Sequence, residues 1–201
     1  MAAGRYRAMD GEGNAVGTEE FRCAPGPMGW RYFSDVETSV PEQHHAVVDL
    51  TVDAAWRPVR TRINTGAHEI TLFAHDDRVA GYLDGRALEI AWRSEMHLEH
   101  VSPAYAAATA NRLVGTAEID VIVLQAFTCE PVERRRRYEL VGDEIVTTPV
   151  GRFEARRWRC TALETGRSRD LWVAGDVVVR SEDLVELEWY EPGASGPRLV
   201  G

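Results

Sequence analysis

Ser102-Pro103-Ala104-Tyr105-Ala106-Ala107-Ala108-Thr109-Ala110-Asn111-Arg112-Leu113 is the stretch on which the fold turns. It carries five alanines, with Ser102 placed to cap a helix N-terminus and Pro103 suited to the first helical position. Gly115 follows where a C-terminal stop is expected. The pattern predicts a helix over 103–113, about three turns long and too short and Ala-rich to be stable alone in water. Small side chains allow close approach to a sheet, so this helix is expected to pack into a concave sheet face.

On both sides of it the dominant signal is period-2 alternation in short runs broken by turn residues, the mark of β-strands. Before the helix the runs are Val16–Cys23, Trp30–Thr38, His45–Val52, Val59–Asn64, Glu69–Ala74, Val79–Leu83 and Ala87–Trp92. After it come Ile119–Phe127, Val132–Val141, Glu144–Thr148, Arg152–Thr161, Arg169–Val173, Val177–Ser181 and Val185–Tyr190. Asn64-Thr65-Gly66, Asp76-Asp77, Asp84-Gly85, Gly142-Asp143, Gly166 and Gly175-Asp176 supply the turn chemistry between them. No long crossover helices separate the strands, which excludes a parallel doubly wound sheet. The expected fold is mainly β: a long antiparallel sheet curled into a roll or open barrel around one central helix. Residues 1–15, Gly-rich and polar, read as a flexible arm, and residues 16–201 as a single β-roll domain.

Composition narrows the function classes. The formal net charge is -9, from 32 acids against 23 bases, and every base is Arg. An all-Arg basic set points to a high-GC bacterial gene. The acidic balance argues against nucleic acid as partner and against anionic lipid headgroups, since both need a net basic surface. The N-terminus lacks a signal-like apolar run, and no stretch approaches the roughly 20 apolar residues of a membrane span. Cys23, Cys129 and Cys160 are odd in number and without CxxC spacing, so neither a disulfide framework nor structural zinc is expected. A cytoplasmic protein with reduced thiols follows as the expectation.

Two strands carry mixed faces. Over 132–141 one face holds Val132, Arg134, Arg136, Tyr138 and Leu140, and the other is wholly charged. Arg134 and Arg136 thus share a face that otherwise looks inward. They read either as an edge pair reaching water or as guanidinium groups lining a polar patch. Over 119–128 both faces are mainly apolar, which suggests a central strand, with Asp120 near its start read as a turn or Arg partner. Aromatic residues recur on strands, at Trp30, Trp56, Tyr82, Trp92, Tyr138, Trp158, Trp172 and Trp189. Such side chains serve equally as core filler or as the lining of a pocket for an amphipathic ligand. His97-Leu98-Glu99-His100, with Glu95 nearby, is the nearest approach to a metal cluster, but on a strand the two histidines point to opposite sides. No metal and no cofactor is expected. Gly-rich phosphate loops, nucleophile elbows and dinucleotide fingerprints are absent from the sequence.

Four short segments carry a resemblance. Val52-Asp53-Ala54-Ala55-Trp56-Arg57-Pro58-Val59, Tyr82-Leu83-Asp84-Gly85-Arg86 and Thr109-Ala110-Asn111-Arg112-Leu113 resemble the Asp-x-x-Trp-Arg, Asp-Gly and Thr-Asn-Leu stretches of the glycolipid-binding family of small bacterial spiral β-roll proteins, related in architecture to periplasmic lipoprotein carriers. Thr148-Pro149-Val150-Gly151-Arg152-Phe153-Glu154-Ala155 resembles a Thr-Pro-x-Gly-x-Phe turn of other carrier-like bacterial domains. Together they cover about residues 45–190. The resemblance implies a long antiparallel sheet wrapped round one helix, with an apolar tunnel for a lipid or other amphipathic molecule. It does not imply periplasmic shuttling, because no signal peptide is seen.

The leading expectation is therefore the binding of a hydrophobic or amphipathic small molecule, lipid- or glycolipid-like, inside the curled sheet. Trp56, Tyr82, Trp92, Tyr105, Arg134, Arg136, Tyr138, Trp158 and Trp172 are the candidate lining residues. The alternative is a cofactor-independent cyclase or isomerase acting on a bulky apolar secondary metabolite, with Tyr105, Tyr138, Arg136 and Asp120 as its candidate polar groups. A homodimer through the sheet edges is a third possibility.

Overall fold

The computed structural model describes residues 1–27, 29–40, 42–194 and 196–200. Eight strands precede the helix region: β1 (Ala2–Met9), β2 (Ala15–Gly26), β3 (Gly29–Thr38), β4 (His44–Asp53), β5 (Pro58–Asn64), β6 (Glu69–Ala74), β7 (Arg78–Leu83) and β8 (Arg86–Ala91). A three-residue strand, β9 (His97–Glu99), leads into helix α1 (Pro103–Arg112). Then follow β10 (Ala117–Leu124), β11 (Pro131–Thr148), β12 (Gly151–Ala162), β13 (Ser168–Ala174), β14 (Val177–Ser181) and β15 (Val185–Glu191). All fifteen join one sheet in the order β8-β7-β6-β5-β4-β3-β2-β1-β15-β14-β13-β12-β11-β10-β9. Every neighbouring pair is antiparallel except β9 with β10.

The sheet is curled and does not close. Its register shifts at Arg5/Tyr6, Ala8/Met9, Thr51/Val52, Leu140/Gly142 and Trp172/Val173. Bulges of this kind add right-handed twist and bend the strands that carry them, which is how so wide a sheet wraps instead of lying flat. Inside the curl lies α1, touching β4 and β14 from opposite halves of the sheet as well as β9. Ala104, Ala107, Ala108 and Ala110 are buried, and their small size is what lets the helix fit among the strands. Trp158, Tyr6, Tyr105, Phe153, Leu50, Ile63 and Leu124 fill the remaining interior as fully buried side chains.

Two expectations need correction. Residues 2–9 are no flexible arm but the strand at the middle of the sheet, paired to β2 and β15. Ala2, Gly4 and Tyr6 point inward, while Arg5 and Arg7 pair on the outside with Glu188 and Glu186. The inward residues are small because space is short: a Cβ on Gly4 would meet the Phe21 ring at 2.5 Å. Tyr6 alone then carries an apolar signal, and the alternation is hidden. Gly142-Asp143 is not a turn between two strands but a bulge within the single strand β11. The short β9 was not foreseen at all.

The interior also holds a carboxylate. Glu19, 3% exposed, accepts from Tyr32 Oη (2.8 Å) and from Ser102 Oγ (2.6 Å) at the start of α1. Burial raises its pKa, and the hydroxyl donors pull it only part of the way back. A raised folded pKa means that the wild type gives up stability as pH rises from the unfolded carboxyl value toward the folded one. Glu19→Gln keeps an acceptor without a charge. It is therefore expected to match the wild type near pH 4 and exceed it at pH 7. Glu19→Ala orphans the two hydroxyls and is expected to lose about 1–3 kcal/mol. Urea titrations of the three proteins across that pH range measure both effects.

Candidate functional site

The arrangement most like a binding site lies beside the C-terminal end of α1. Trp30, near the start of β3, is 4% exposed, and its ring centroid lies 5.3 Å from that of half-buried Trp56 at an interplanar angle of 44°. Trp30 Nε1–H donates to Asp176 Oδ2 at 2.9 Å, while Asp176 Oδ1 is buried without a hydrogen-bond partner. Pro25 and Gly26 from the end of β2, Asp53, and Asn111 of α1 complete the walls of an open groove of about 390 Å³.

Local sequence builds each wall. Trp56 sits in a tight turn between β4 and β5, where Asp53 Oδ1 accepts from the backbone N–H of Ala55 and of Arg57, both at 2.8 Å. Trp56 N–H donates to Asp53 O at 3.0 Å, closing the turn. This geometry forces Trp56 to φ 61°, a left-handed conformation that a bulky aromatic residue adopts only under constraint. Gly29 opens β3 at φ 149°, and a Cβ there would lie 1.9 Å from Val52 O, so only glycine lets β3 approach β4 this closely beside Trp30. Asn111 is tied down on three sides: its Nδ2 donates to Ala107 O and Gly175 O, and its Oδ1 accepts from Arg156 Nη2 at 2.6 Å. Desolvation raises the pKa of Asp176, partly offset by the Trp30 N–H. The neighbouring Cys23 thiol is pushed up to about 12, by burial first and by the Asp176 charge second.

A second cleft, of about 320 Å³, is lined by Glu99, Arg136, Arg167, Arg169, Glu182 and Asp183 among others. Its charges are largely satisfied internally. Arg136 pairs with Glu99 (2.8 Å) and Glu164 (3.1 Å), and Arg169 approaches Glu99 at 3.9 Å. The cleft reads as an ion-pair network that ties β9, β11 and β13 together.

The structure scatters the lining residues expected from sequence. Trp56 alone among them lines the aromatic groove. Tyr105 is fully buried and shares a hydrogen bond with Thr61 Oγ1, and Trp92 is buried where β8 ends. Tyr138 and Trp158 are core residues in edge contact at 6.3 Å. Trp172 is buried between the guanidinium groups of Arg157 and Arg180 (5.3 and 5.4 Å), with its Nε1–H on Glu144. Tyr82 is 56% exposed on the outer sheet face, and Arg134 is exposed. Arg136 is the one polar candidate that faces a cleft. Asp120 pairs with Arg93 (2.6 Å) and Arg135 (3.5 Å), as an Arg partner should. Tyr105, Asp120 and Tyr138 do not join Arg136 in its cleft. Of the other side chains that converge, Trp30 stands among the strand aromatics that fit core or pocket alike, while Asp176 and Asn111 give only turn and helix signals in the sequence.

No protein-family model matches the chain, and no curated protein matches it. Solved structures do. A DUF1089 family protein from Pseudomonas aeruginosa superposes with a TM-score of 0.61 over 84% of this chain and 91% of that chain, at 15% identity. A β-barrel-like protein of domain of unknown function DUF1849 from Brucella abortus superposes with a TM-score of 0.50 over 95% of this chain and 98% of that one, at 10% identity. The likeness is one of fold. It places the curled sheet and its helix among bacterial β-barrel-like proteins. Among the described residues no three His, Cys, Asp or Glu side chains cluster as metal ligands, and no helix is long and apolar enough to cross a membrane.

Proposed function

We propose that the protein binds an amphipathic small molecule, lipid- or glycolipid-like, in the groove between Trp30, Trp56 and the end of α1. The observation that carries this reading is Trp56: a large aromatic side chain held half-exposed, on a left-handed backbone, against a second indole. Backbone strain retained at an open aromatic groove is characteristic of positions under functional constraint. The reading moves the expected ligand from a central tunnel to the rim, because α1 and the buried aromatic residues occupy the middle of the roll. Two segments that carry the resemblance to the glycolipid-binding family, around Trp56 and Asn111, meet at this groove, which further supports the reading.

Trp56→Gly separates binding from folding. Glycine accepts φ 61° without strain, which offsets the lost packing of a half-buried ring, so stability is expected to change by no more than about 1 kcal/mol. Affinity for decyl maltoside, titrated calorimetrically below its critical micelle concentration, is expected to fall about tenfold or more. Equal affinity of variant and wild type would remove Trp56 from the site and the proposal with it.

A further inference from the structure

The chemistry of the groove walls says more than that the ligand is amphipathic. Resting on the binding reading above, we infer that the groove selects amphiphiles whose head group is a cation, an amine or quaternary ammonium held on the Trp56 indole beside Asp176.

Three observations carry this. The first is the pair of indoles: Trp30 and Trp56 are in contact, with centroids 5.3 Å apart and planes inclined at 44°, and Trp56 is the one partly exposed in the groove. Indole is the side chain whose π face attracts a cation most strongly, and the attraction grows as the cation leaves water. The second is the sign of the charged walls. Asp53 and Asp176 line the groove, and none of the described lining residues is basic. Arg57 and Arg112 are close in sequence to Trp56 and Asn111 but lie outside the lining. Arg112 is committed elsewhere, donating to the carbonyls of Met96 and Ser94.

The third is that Asp176 is under-partnered. Asp53 has its Oδ1 taken by two turn amides, and Asp170, the buried acid of the opposite sheet half, binds both Arg157 and Arg159. Among the described side chains Asp176 has one N–H donor, Trp30 Nε1–H, with the Cys23 thiol at 4.0 Å, its own backbone amide beside it, and Oδ1 buried without a side-chain partner. The cation acting on it is the chain's own terminal ammonium, the smallest of its influences. A partly buried carboxylate is stabilised when a cation approaches, and Asp176 lines the groove from which a ligand would reach it. A sulfate or carboxylate head would instead meet two carboxylates and an electron-rich ring face.

The test uses the full chain and three ten-carbon amphiphiles below their critical micelle concentrations: decyltrimethylammonium, decyl maltoside and decanoate. Dissociation constants are read from tryptophan fluorescence. The cationic amphiphile is expected to bind about tenfold tighter than the neutral one, with decanoate weakest. Added salt is expected to narrow the gap. Asp176→Asn, which retains an oxygen for Trp30, is expected to abolish the cation's tenfold advantage over decyl maltoside, and an advantage that survives in the variant would overturn the role given to Asp176. Equal binding of all three by the wild type overturns the head-group inference and leaves the binding reading standing. Failure of all three to bind overturns the binding reading itself.

Discussion

Acidification from pH 7 to pH 4 is expected to destabilise the protein steeply, and two buried histidines are the main reason. His97 is 3% exposed and His100 6% exposed. Burial lowers the pKa of His97 to about 3, with the Arg112 charge adding to it, and that of His100 to about 4, with the His44 charge adding to it. In the unfolded chain both titrate near 6.5. A depressed folded value means that the unfolded state takes up protons first, so stability is full above pH 6.5 and is lost as pH falls toward the folded values. Each histidine contributes a slope of about 1.4 kcal/mol per pH unit in that window, on the order of 3 kcal/mol by pH 4. Glu19 opposes the trend, because its raised carboxyl takes up a proton in the folded state before it does so in the unfolded one. Asp170, whose two arginines hold it below the usual carboxylate value, adds its loss at still lower pH. In a double variant, His97→Leu with His100→Asn, the asparagine can still accept from Ser102 N–H as His100 Nδ1 does at 3.2 Å. Guanidinium titrations from pH 7 to 4 should show a much flatter pH dependence for the variant. An unchanged slope would place the acid sensitivity elsewhere.

Trp158→Ala is expected to lose about 3–5 kcal/mol, because it empties the largest fully buried side chain in the roll. The ring is 0% exposed, meets Tyr138 edge-on, and has Leu140 and Leu171 as its cross-strand neighbours. Its Nε1–H is buried without a partner. That orphan donor makes a second result specific: Trp158→Phe also leaves some empty volume but removes the unsatisfied N–H, which relieves about 1–3 kcal/mol of desolvation. The phenylalanine variant is therefore expected to unfold much closer to the wild type than the alanine variant does. Urea unfolding followed by circular dichroism gives both numbers. A phenylalanine variant as unstable as the alanine one would mean that the indole N–H has a partner after all.

Fourteen runs of alternation and one alanine-rich helix were enough to read the curled sheet, because period 2 and period 3.6 are direct consequences of backbone geometry. Where legibility failed, the side chains were small or the element short. Ala2, Gly4 and Tyr6 alternate correctly, yet two of the three carry no apolar weight, so a central strand looked like an arm. His97–Glu99 is too brief for any period to show. The candidate site was less legible than the fold. Trp30 and Trp56 stood out as aromatic residues, but Trp56 meets Trp30 through a left-handed turn, and Asp176 reaches Trp30 from a hairpin on the other half of the sheet. Such a meeting depends on how the curl brings β3 and the β13–β14 turn together, which no local pattern encodes. The same curl buried Tyr138, Trp158 and Trp172 as core, since alternation gives the parity of a residue but not what fills the concave side.

The six tryptophans allow the central claim to be tested in one spectrum. Each indole N–H gives its own signal in a ¹⁵N–¹H correlation, assignable by single replacement. Titrating decyltrimethylammonium and decyl maltoside into the labelled protein is expected to move the Trp30 and Trp56 signals with a common dissociation constant. Trp92 and Trp158, buried away from the groove, should stay in place. Movement of Trp158 and Trp92 with Trp30 and Trp56 unmoved would place the ligand inside the roll, and would contradict a binding groove at its rim.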